Sequence, residues 1–327
     1  MLSCDGMAEH HTIIPRAMWK VDKSEPAPGC RHTSIIFMPF SGRLGNQLIS
    51  QANLLALCLE HEPRFSLANA SLLPYRGNFS KAECERFGNP SEADQAFAQM
   101  LALLFRSQRL YRALSHRVPN LKWESAHIVV DDSRRLELDE PLPPGFGAKT
   151  LFLSGWGINS GPLLYRHRRR ILEHLAFKID HRRIDEIVSR ARNGCDVLIG
   201  VHIRQGDYRS FANGIHYFSS GEYASAMRDL AQRISPLRVS FLVCSNSPQR
   251  DADFEGLDVS VCRDTTPTDD MTILSRCDMI FGPPSTFSFW ASYMSGVALA
   301  NTAAGKCTAE LTDTQLSKIL SSIRRPP

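Results

Sequence analysis

The chain has 327 residues, which fits two domains of about 150 residues each better than a single domain. Apolar residues make up 43% of the chain and charged residues 22%, as in soluble globular enzymes, and the net charge of +4 is too small to indicate nucleic-acid binding. No stretch reaches the roughly 18 consecutive apolar residues of a membrane span, and the N-terminus lacks the apolar core of a signal peptide. A cytoplasmic protein without nucleic-acid partners is therefore expected.

The cysteines follow no metal-binding or disulfide pattern. Their number is odd, and no CxxC motif or Cys/His cluster occurs. We expect most of them to be reduced, buried, small apolar residues in a reducing compartment, without a structural zinc site. The nine residues are Cys4, Cys30, Cys58, Cys84, Cys195, Cys244, Cys262, Cys277 and Cys307.

The chain begins with a polar segment, residues 1–33, which is interrupted by proline and predicts an irregular arm. An apolar run of strand length follows at residues 34–40 and ends in the glycine-containing stretch 41–47. Apolar residues at helical spacing over residues 48–59 predict a helix after that turn. The segment therefore reads as a strand, a glycine turn and a helix.

Three further elements are predicted in the first half of the chain. An amphipathic helix is predicted over residues 92–117, and a strand starts at residue 151 and ends at Gly155. Residues 165–178 predict a helix with a basic outer face formed by Arg166–Arg170. This basic run could bind phosphate or the anionic lipid of an inner membrane face, but a solvated helix face is the simpler interpretation.

Residues 181–195 are interpreted as the link between two domains, with the boundary after residue 190. Beyond that link, strands and helices alternate regularly, which is typical of an α/β fold with a doubly wound parallel sheet. The predicted strands cover residues 196–203, 239–244 and 278–282, and the predicted helices begin at Ser220, at a cap on Thr268 or Asp269, and after Ser285.

Polar clusters stand where four of the predicted strands end. In doubly wound sheets, ligands bind beyond the carboxyl ends of the strands, so these positions favour a binding site. Because the clusters come from both halves of the chain, they suggest a cleft between two domains. The clusters are Gly42–Gln47, His202–Asp207, Ser245–Asn246 and Ser285–Ser288.

The cluster His202–Asp207 carries the clearest chemistry. His202 and Arg204 point to the same side of a strand because side chains alternate faces. The planar fork of Arg204 suits a phosphate, and His202 could donate to a phosphate or sugar oxygen. Asp207 could orient the arginine or cap the following turn. An ion pair at the end of a strand is the alternative interpretation.

Two other clusters precede predicted helices, where backbone N–H groups attract anions. Gly42 and Gly45 flank such a turn, although it is neither a Walker loop nor a GxGxxG motif. Ser285 and Thr286 could hold a phosphate or simply cap their helix. Asp270 suits the first turn of its helix, and its carboxylate could also pair with the N1–H and N2–H edge of guanine.

Several other chemistries are not supported by the sequence. It contains neither a GxSxG nucleophile elbow nor an HExxH zinc motif. The acidic pairs Asp131–Asp132 and Asp269–Asp270 lack the alternating DxD spacing that often holds a metal and a diphosphate. No dedicated metal site is predicted.

The order of the motifs along the chain resembles that of the alpha-1,2-fucosyltransferase family. The resemblance runs from about residue 35 to about residue 300, and a more distant one exists to the alpha-1,6- and protein O-fucosyltransferases. The motifs are Gly42–Gln47, Gly155–Asn159, His202–Asp207, Ser245–Asn246, Asp270 and Ser285–Ser288.

This resemblance implies a GT-B-type glycosyltransferase with two Rossmann-like domains facing across a cleft. Residues 34–190 would form the acceptor-side domain and residues 191–327 the GDP-sugar-binding domain. The implied reaction is an inverting transfer of fucose from GDP-fucose to a hydroxyl of a glycan, expected to be O2 of a galactoside. It implies no cofactor and no metal, and it suggests a role in making bacterial surface polysaccharide.

The resemblance also implies roles for individual residues. Arg204 would bind the donor diphosphate, His202 would contact the donor beside it, and Asp207 completes this catalytic set. Asp270 would read guanine, and Asn46 would reach across the cleft. The implied donor-binding residues are Arg43, Gly45, Asn46, Ser245, Asp270, Ser285, Thr286 and Phe287.

The sequence departs from the family pattern at three places. Gln205 stands where a second arginine is usual, which bears on donor affinity or on the choice of donor sugar. GWGIN at residues 155–159 replaces GYFQ, and PPSTFSFW at residues 283–290 replaces NSTFSWW, which bear on the acceptor.

Some alternatives stay open at the level of sequence. His216, Glu222 and Asp207 are the candidate general bases. A non-catalytic GDP-sugar or nucleotide-binding protein, a transferase for a different GDP-sugar, and a protein- or membrane-binding module that uses Arg166–Arg170 are the competing functions.

Overall fold

The computed structural model describes residues 32–38, 42–104, 125–130, 135–138, 141–143 and 145–322. The chain divides into two compact units, Met1–Ala176 and Phe177–Pro327. The predicted arm lies almost entirely outside the described residues. So do the second half of the helix predicted over 92–117, the pair Asp131–Asp132, and Cys4 and Cys30.

The first unit is built on a sheet whose described strands run in the order β3-β2-β1-β6-β4. All neighbours are parallel except β2 and β3, and a separate parallel pair joins β5 to β7. The strands are β1 (Thr33–Phe37), β2 (Phe65–Asn69), β3 (Arg86–Phe87), β4 (Ser125–Val130), β5 (Leu136–Glu137), β6 (Thr150–Gly155) and β7 (Ile158–Asn159).

Helices and one 3₁₀ segment accompany this sheet. β1 is buried along its whole length, as expected for a central parallel strand. A 3₁₀ segment follows β2 at Ala70–Asn78, and the side chain of Asn69 caps it by accepting from two backbone N–H groups. The described helices are α1 (Leu44–Glu60), α2 (Glu92–Leu104), α3 (Leu163–Arg166) and α4 (Arg168–His174).

Helix α1 is buried on almost every side, because its sequence is apolar around most of its circumference. Its buried polar residues are satisfied by neighbouring segments. Gln51 Nε2 donates to the carbonyl oxygen of Cys84 at 3.1 Å, and Asn53 Oδ1 accepts from both the N–H and the hydroxyl of Ser160 at 2.8 Å. These bonds fix the loops after β2 and β7 onto the helix.

The helix predicted over residues 165–178 is two short helices, α3 and α4, with His167 between them. Three of its basic residues form ion pairs with acidic residues at or just after the end of α1. Arg166 and His167 both bind Glu60, His167 at 2.7 Å, and Arg170 binds Glu62 at 3.1 Å. These pairs hold α3 and α4 onto α1 and account for three of the five basic residues without a ligand. Membrane contact through Arg166–Arg170 stays a prediction.

The second unit is built on a sheet whose strands run in the order β10-β9-β8-β11-β12-β13, parallel except for β12 and β13. β8 is fully buried and central, and apolar helix faces cover both sides of the sheet. The strands are β8 (Val197–Ile203), β9 (Val239–Ser245), β10 (Val259–Val261), β11 (Met279–Gly282), β12 (Ala298–Ala303) and β13 (Lys306–Ala309).

The helices of this unit begin at well-formed caps. Ser219 and Glu222 make a capping box for the helix after β8. The cap predicted at Thr268 or Asp269 is instead Thr266, because Pro267 takes the first helical position and Asp269 closes a capping box. The helices are α5 (His181–Arg192), α6 (Ser220–Ile234), α7 (Pro267–Ser275), α8 (Thr286–Ser295) and α9 (Asp313–Ser322).

The segment interpreted as an inter-domain link, residues 181–195, is mostly the helix α5. Its residues Ile184, Val188 and Ala191 are buried against the second sheet, in one cluster with Leu198 of β8. The compact units divide before this helix, after Ala176, rather than after residue 190. The amphipathic pattern of α5 is the physical reason why it belongs to the second unit.

None of the seven described cysteines forms a disulfide, and Cys58, Cys84, Cys244 and Cys277 are buried. This agrees, for the part of the chain that is described, with the expectation of reduced cysteines that serve as small apolar residues. Among the same residues, no helix is both long enough and apolar enough to cross a membrane.

Because β11 packs closely against β8, position 282 should tolerate only glycine. A Cβ atom at this position would lie 2.6 Å from the carbonyl oxygen of His202, so Gly282→Ala must shift one strand. We expect a loss of about 1–3 kcal/mol in the free energy of unfolding, measured by urea denaturation. The matched control is Gly221→Ala in α6, where nothing lies within 4 Å and stability should hold or rise. Equal stability of Gly282→Ala and the parent would contradict the packing.

Candidate functional site

Three of the predicted polar clusters meet at one edge of the second sheet. β9, β8 and β11 are adjacent and parallel, so their ends at Ser245, Ile203 and Gly282 lie side by side. The strand order changes direction between β8 and β11, since β9 and β10 lie to one side of β8 and β11 and β12 to the other. Such a switch point is where open α/β sheets bind ligands.

Arg204 stands just beyond the end of β8 and is held by two different contacts. Its Nε and Nη2 donate to the two carboxylate oxygens of Asp207 at 3.3 and 2.8 Å. Its guanidinium carbon lies 4.5 Å from the ring centroid of Tyr208, which is a cation–π contact. The pair with Asp207 uses one edge of the fork, and Nη1 lies on the other edge. Asp207 is therefore an orienting partner of Arg204.

Tyr208 is a site residue that the sequence analysis missed. Its ring packs against the guanidinium of Arg204, while its hydroxyl donates to the carbonyl oxygen of Pro284 at 3.0 Å. Phe211 stacks on it at 5.2 Å between ring centroids and is largely exposed. Tyr208 thus joins the loop after β8 to the turn after β11. The sequence places Tyr208 in the loop directly after the cluster His202–Asp207, which was the available signal. The contact with Pro284 could not be read from the sequence.

His202 is buried and only 4% exposed. Its Nδ1 lies 2.7 Å from the hydroxyl of Ser288, and its ring stacks on Phe287 at 4.7 Å. Burial, and then the neighbouring Arg204, lower the pKa of His202 to about 3. The imidazole is therefore neutral at pH 7 and can offer a hydrogen bond but no charge to a ligand.

The turn after β11 is shaped by its own cap. The hydroxyl of Ser285 accepts from the backbone N–H groups of Phe287 and Ser288 at 3.2 and 3.3 Å. Ser285 is therefore the N-cap of α8, as the simpler sequence interpretation held, and Thr286 is the first helical residue. Phe287 packs against His202. The cap fixes the helix N-terminus at the switch point, where its positive end favours an anion.

Gln205 is turned toward the protein. Its Nε2 donates to the carbonyl oxygen of Phe218 at 3.1 Å, and its Oε1 accepts from Gln249 at 3.0 Å. Gln249 also donates to the hydroxyl of Ser245 at 3.1 Å. Ser245 and Gln205 therefore belong to one network that ties the ends of β8 and β9 together. A neutral amide, with both a donor and an acceptor, is what these partners require.

Asp270 lies in the first turn of α7, half-buried, with its Oδ1 accepting from the hydroxyl of Thr265 at 2.6 Å. Burial raises the pKa of its carboxyl group to about 6, although the hydrogen bond from Thr265 acts in the opposite direction. A ligand that donates to this carboxylate would stabilise its ionised form and lower the pKa again. The N1–H and N2–H edge of guanine has that donor pattern.

The three candidate general bases differ in their surroundings. Asp207 is engaged by Arg204, and Glu222 accepts from the N–H and the hydroxyl of Ser219 in the capping box. His216 Nδ1 is buried without a hydrogen-bond partner among the described residues, and burial lowers the pKa of this ring. A neutral imidazole suits a base, but the assignment of the base stays a prediction.

Arg43, Gly45 and Asn46 lie in the first unit, at the N-terminus of α1. Arg43 is the N-cap position and makes no side-chain cap, Gly45 is buried, and Asn46 is half-buried. These residues stand at a helix N-terminus beyond β1, as the glycine turn predicted. Their part in binding the donor stays a prediction.

Comparisons with known proteins agree with this arrangement. The sequence matches glycosyl transferase family 11 over residues 145–314. The fucosyltransferase NodZ from Bradyrhizobium is 16% identical, covers 82% of this chain and 94% of its own, and has a TM-score of 0.50, as does the alpha-1,6-fucosyltransferase NodZ co-crystallised with GDP. No individual curated protein matches the sequence.

Two further solved structures are more distant in shape. A mutant of Arabidopsis thaliana FUT1 in complex with GDP is 14% identical, with a TM-score of 0.46 and coverage of 87% of this chain and 75% of its own. POFUT1 in complex with GDP is 12% identical, with a TM-score of 0.45 and coverage of 82% and 96%.

The fold and the family match together define a glycosyltransferase, and they confirm the predicted α/β fold of the GT-B type. The chain belongs to glycosyl transferase family 11, the alpha-1,2-fucosyltransferase family that its motifs resemble. The matched segment contains the clusters at His202–Asp207 and Ser285–Ser288 but not the turn at Gly42–Gln47. The placement of two domains across a cleft stays a prediction.

The neutral state of His202 can be measured directly. In an NMR titration, its ring should stay unprotonated to well below the ordinary imidazole pKa of about 6.5. Since the unfolded chain takes up the proton first, the contribution of His202 to stability is full above about pH 6.5 and falls as the pH drops, by at most about 1.4 kcal/mol per unit.

His202→Asn is the control for this titration, because its amide can still accept from Ser288 but does not titrate. Between about pH 6.5 and 4, its unfolding free energy should fall less steeply than that of the parent. A ring that gains its proton near pH 6.5 would contradict the buried, neutral assignment.

Proposed function

We propose that the chain is a fucosyltransferase that moves fucose from GDP-fucose, with inversion, to a hydroxyl group of a glycan acceptor, at O2 of a galactoside. The observation that carries the proposal is the oriented Arg204 at the switch point of the second sheet, next to the N-terminus of α8. Family membership supports the transfer chemistry and the galactoside. The GDP complex of NodZ supports the donor.

In the proposed reaction, the acceptor oxygen forms a bond to the anomeric carbon of fucose. The bond from that carbon to the β-phosphate oxygen breaks at the same time, and GDP leaves with the electron pair. The proton of the acceptor hydroxyl passes to a base, for which His216 is the candidate with an uncommitted ring nitrogen among the described residues. Positive charge grows on the sugar ring and negative charge on the departing diphosphate.

Arg204 would stabilise the departing charge through the N–H groups on the fork edge away from Asp207. Preorganised donors of this kind lower the barrier because they need no reorientation during the reaction. Asp207 and Tyr208 supply that preorganisation, one through the carboxylate pair and the other through its ring. Transfer without a metal is part of the proposal, with Arg204 in the electrostatic role that a metal has elsewhere.

His202 has a narrower role in this proposal. The hydroxyl of Ser288 can donate to Nδ1, which leaves the imidazole proton on Nε2. The neutral ring then contributes one hydrogen bond to the donor and keeps Phe287 in place. The charge on the donor side comes from Arg204 and from the N-terminus of α8.

The proposal predicts that Arg204→Ala lowers kcat by roughly 100- to 1000-fold, as loss of an oriented transition-state donor does. Arg204→Lys should recover little, because a point charge cannot bind Asp207 and a phosphate with two edges. The measurement is release of GDP from GDP-fucose with galactose-terminated acceptors.

Arg228→Ala is the matched control for this prediction. Arg228 lies on α6 and donates to the carbonyl oxygen of Glu255, away from the strand ends, so its removal should leave kcat unchanged. Near-parental turnover by Arg204→Ala would overturn the proposed role. GDP binding by the parent without turnover on any acceptor would favour the non-catalytic GDP-sugar-binding protein.

A second prediction concerns how GDP binding depends on pH. We infer that guanine donates to the ionised carboxylate of Asp270, whose pKa is raised to about 6 in the free protein. Below about pH 6 the proton must leave before guanine binds, so the affinity for GDP should fall by up to about tenfold per pH unit. Isothermal calorimetry with GDP, and with ADP and UDP for selectivity, measures this.

Asp270→Asn separates this effect from titration of the nucleotide itself. The variant should bind GDP more weakly at neutral pH because its amide cannot accept from both guanine N–H groups as a carboxylate does. The pH dependence that remains in it belongs to the β-phosphate. An identical pH profile in the parent and in Asp270→Asn would contradict guanine recognition by Asp270.

A further inference from the structure

A second cluster of reactive side chains lies at the outer part of the same sheet. β9 and β10 are parallel, and the N–H of Cys262, the residue after β10, donates to the carbonyl oxygen of Val243 at 2.9 Å. Cys262 is thereby placed beside Cys244, and their sulfur atoms lie 3.7 Å apart. Asp270 approaches from the first turn of α7, so that one ligand atom from each of the three residues lies within 4.8 Å of the others.

These spacings match those around a tetrahedral metal ion. Two thiolates bound to Zn²⁺ at about 2.3 Å stand about 3.8 Å apart at the tetrahedral angle. A thiolate and a carboxylate oxygen on the same ion stand about 3.6 Å apart. The sulfur pair already has its spacing, and the carboxylate oxygen, which lies within 4.8 Å of both sulfurs, needs a movement of at most about 1 Å, which a side-chain rotation provides. A disulfide, in contrast, would require the sulfurs at about 2.0 Å.

We propose that Cys244, Cys262 and Asp270 form a binding site for a thiophilic divalent cation of the Zn²⁺ class, with the fourth position open. A hydrogen bond between two thiols would account for the sulfur distance alone. A further hydrogen bond, from the Cys244 thiol to Asp270, holds the carboxylate beside the pair, so that two sulfur donors and one oxygen donor converge on one point. Two sulfur donors and one oxygen donor are a ligand set that favours Zn²⁺ or Co²⁺ over Mg²⁺ or Ca²⁺.

The surroundings of the cluster fit this use. The hydroxyl of Thr265 donates to Oδ1 of Asp270, which orients the carboxylate as outer-shell partners of metal ligands do. Cys244 is buried and Cys262 is half-buried, so an ion can enter from the side of Cys262. The cluster therefore combines a fixed inner ligand with an accessible outer one.

Metal binding here has a consequence for the donor nucleotide, and this part rests on the proposed function. Asp270 cannot present the same carboxylate to a metal ion and to the N1–H and N2–H groups of guanine. A thiophilic cation and GDP should therefore exclude each other. The cation would act as an inhibitor of transfer rather than as a cofactor.

The test is titration of the full chain with Co²⁺ under reducing conditions, followed by absorption spectroscopy. Tetrahedral cobalt bound to thiolate gives intense visible bands and a sulfur-to-cobalt charge-transfer band. We expect these bands in the parent protein and their displacement by Zn²⁺. In Cys262→Ser, cobalt affinity should fall at least about tenfold, the smallest loss that even an outer-shell partner of a metal causes.

Cys307→Ser is the matched control, because Cys307 is another half-buried cysteine of the same unit outside the cluster. It should keep the bands of the parent. Cys244→Ser should lose them, and if this buried substitution prevents folding, as judged by circular dichroism, Cys262→Ser decides alone. Absence of thiolate–cobalt bands in the parent, or their retention in Cys262→Ser, would overturn the site.

Addition of GDP to the cobalt-loaded protein tests the link to the nucleotide. Loss of the thiolate–cobalt bands with GDP, but not with the same concentration of ADP, whose diphosphate removes cobalt from solution equally well, supports exclusion. If GDP binds while the bands persist, exclusion is wrong and the metal site stands. If GDP binds to neither the metal-free nor the loaded protein, the proposed function fails, and the cobalt spectrum still decides the metal site.

Discussion

The ion pair between Arg204 and Asp207 is the interaction on which the rest of the candidate site depends. An arginine side chain beyond a strand end has several rotatable bonds, and ordering a free one on binding would cost about 0.5–1.5 kcal/mol. The carboxylate takes one edge of the fork and Tyr208 covers one face, so the remaining direction is already chosen. The hydrogen bond from Tyr208 to Pro284 then ties this loop to the turn that precedes α8.

Two residues close to Arg204 in the sequence, His202 and Gln205, carry no positive charge. His202 is neutral because burial beside an arginine makes a second cation costly. Gln205, standing where the family has another arginine, uses its amide to join the ends of β8 and β9. Its partners are a carbonyl oxygen and a side-chain amide, so the substitution is accommodated by the loop rather than left as a gap toward the ligand. Among residues 202–205, the positive charge is therefore concentrated on Arg204.

Many of the strands and helices of the second unit could be predicted from the sequence, because long apolar strands and helix caps are local signals. The strand at 196–203 and the helix after Ser220 follow the predicted pattern within a residue or two. Short strands such as β2, with the sequence FSLAN, were missed, since their assignment depends on neighbours in the sheet rather than on their own residues. The roles of Tyr208 and Gln205 depend on loops far apart in sequence, which no local pattern reports.

The cluster of Cys244, Cys262 and Asp270 also could not be predicted from local sequence patterns. Spacings of 18 and 8 residues match no metal-binding motif, and each cysteine read alone is a small core residue. Parallel pairing of β9 with β10 places the two sulfurs side by side, and the Thr266 cap then starts α7 so that Asp270 faces them. The carboxylate of Asp270 is also the proposed binding partner of guanine. Metal binding and GDP binding are therefore linked through Asp270, and this link exists because the pairing of β9 with β10 brings the two cysteines to that residue.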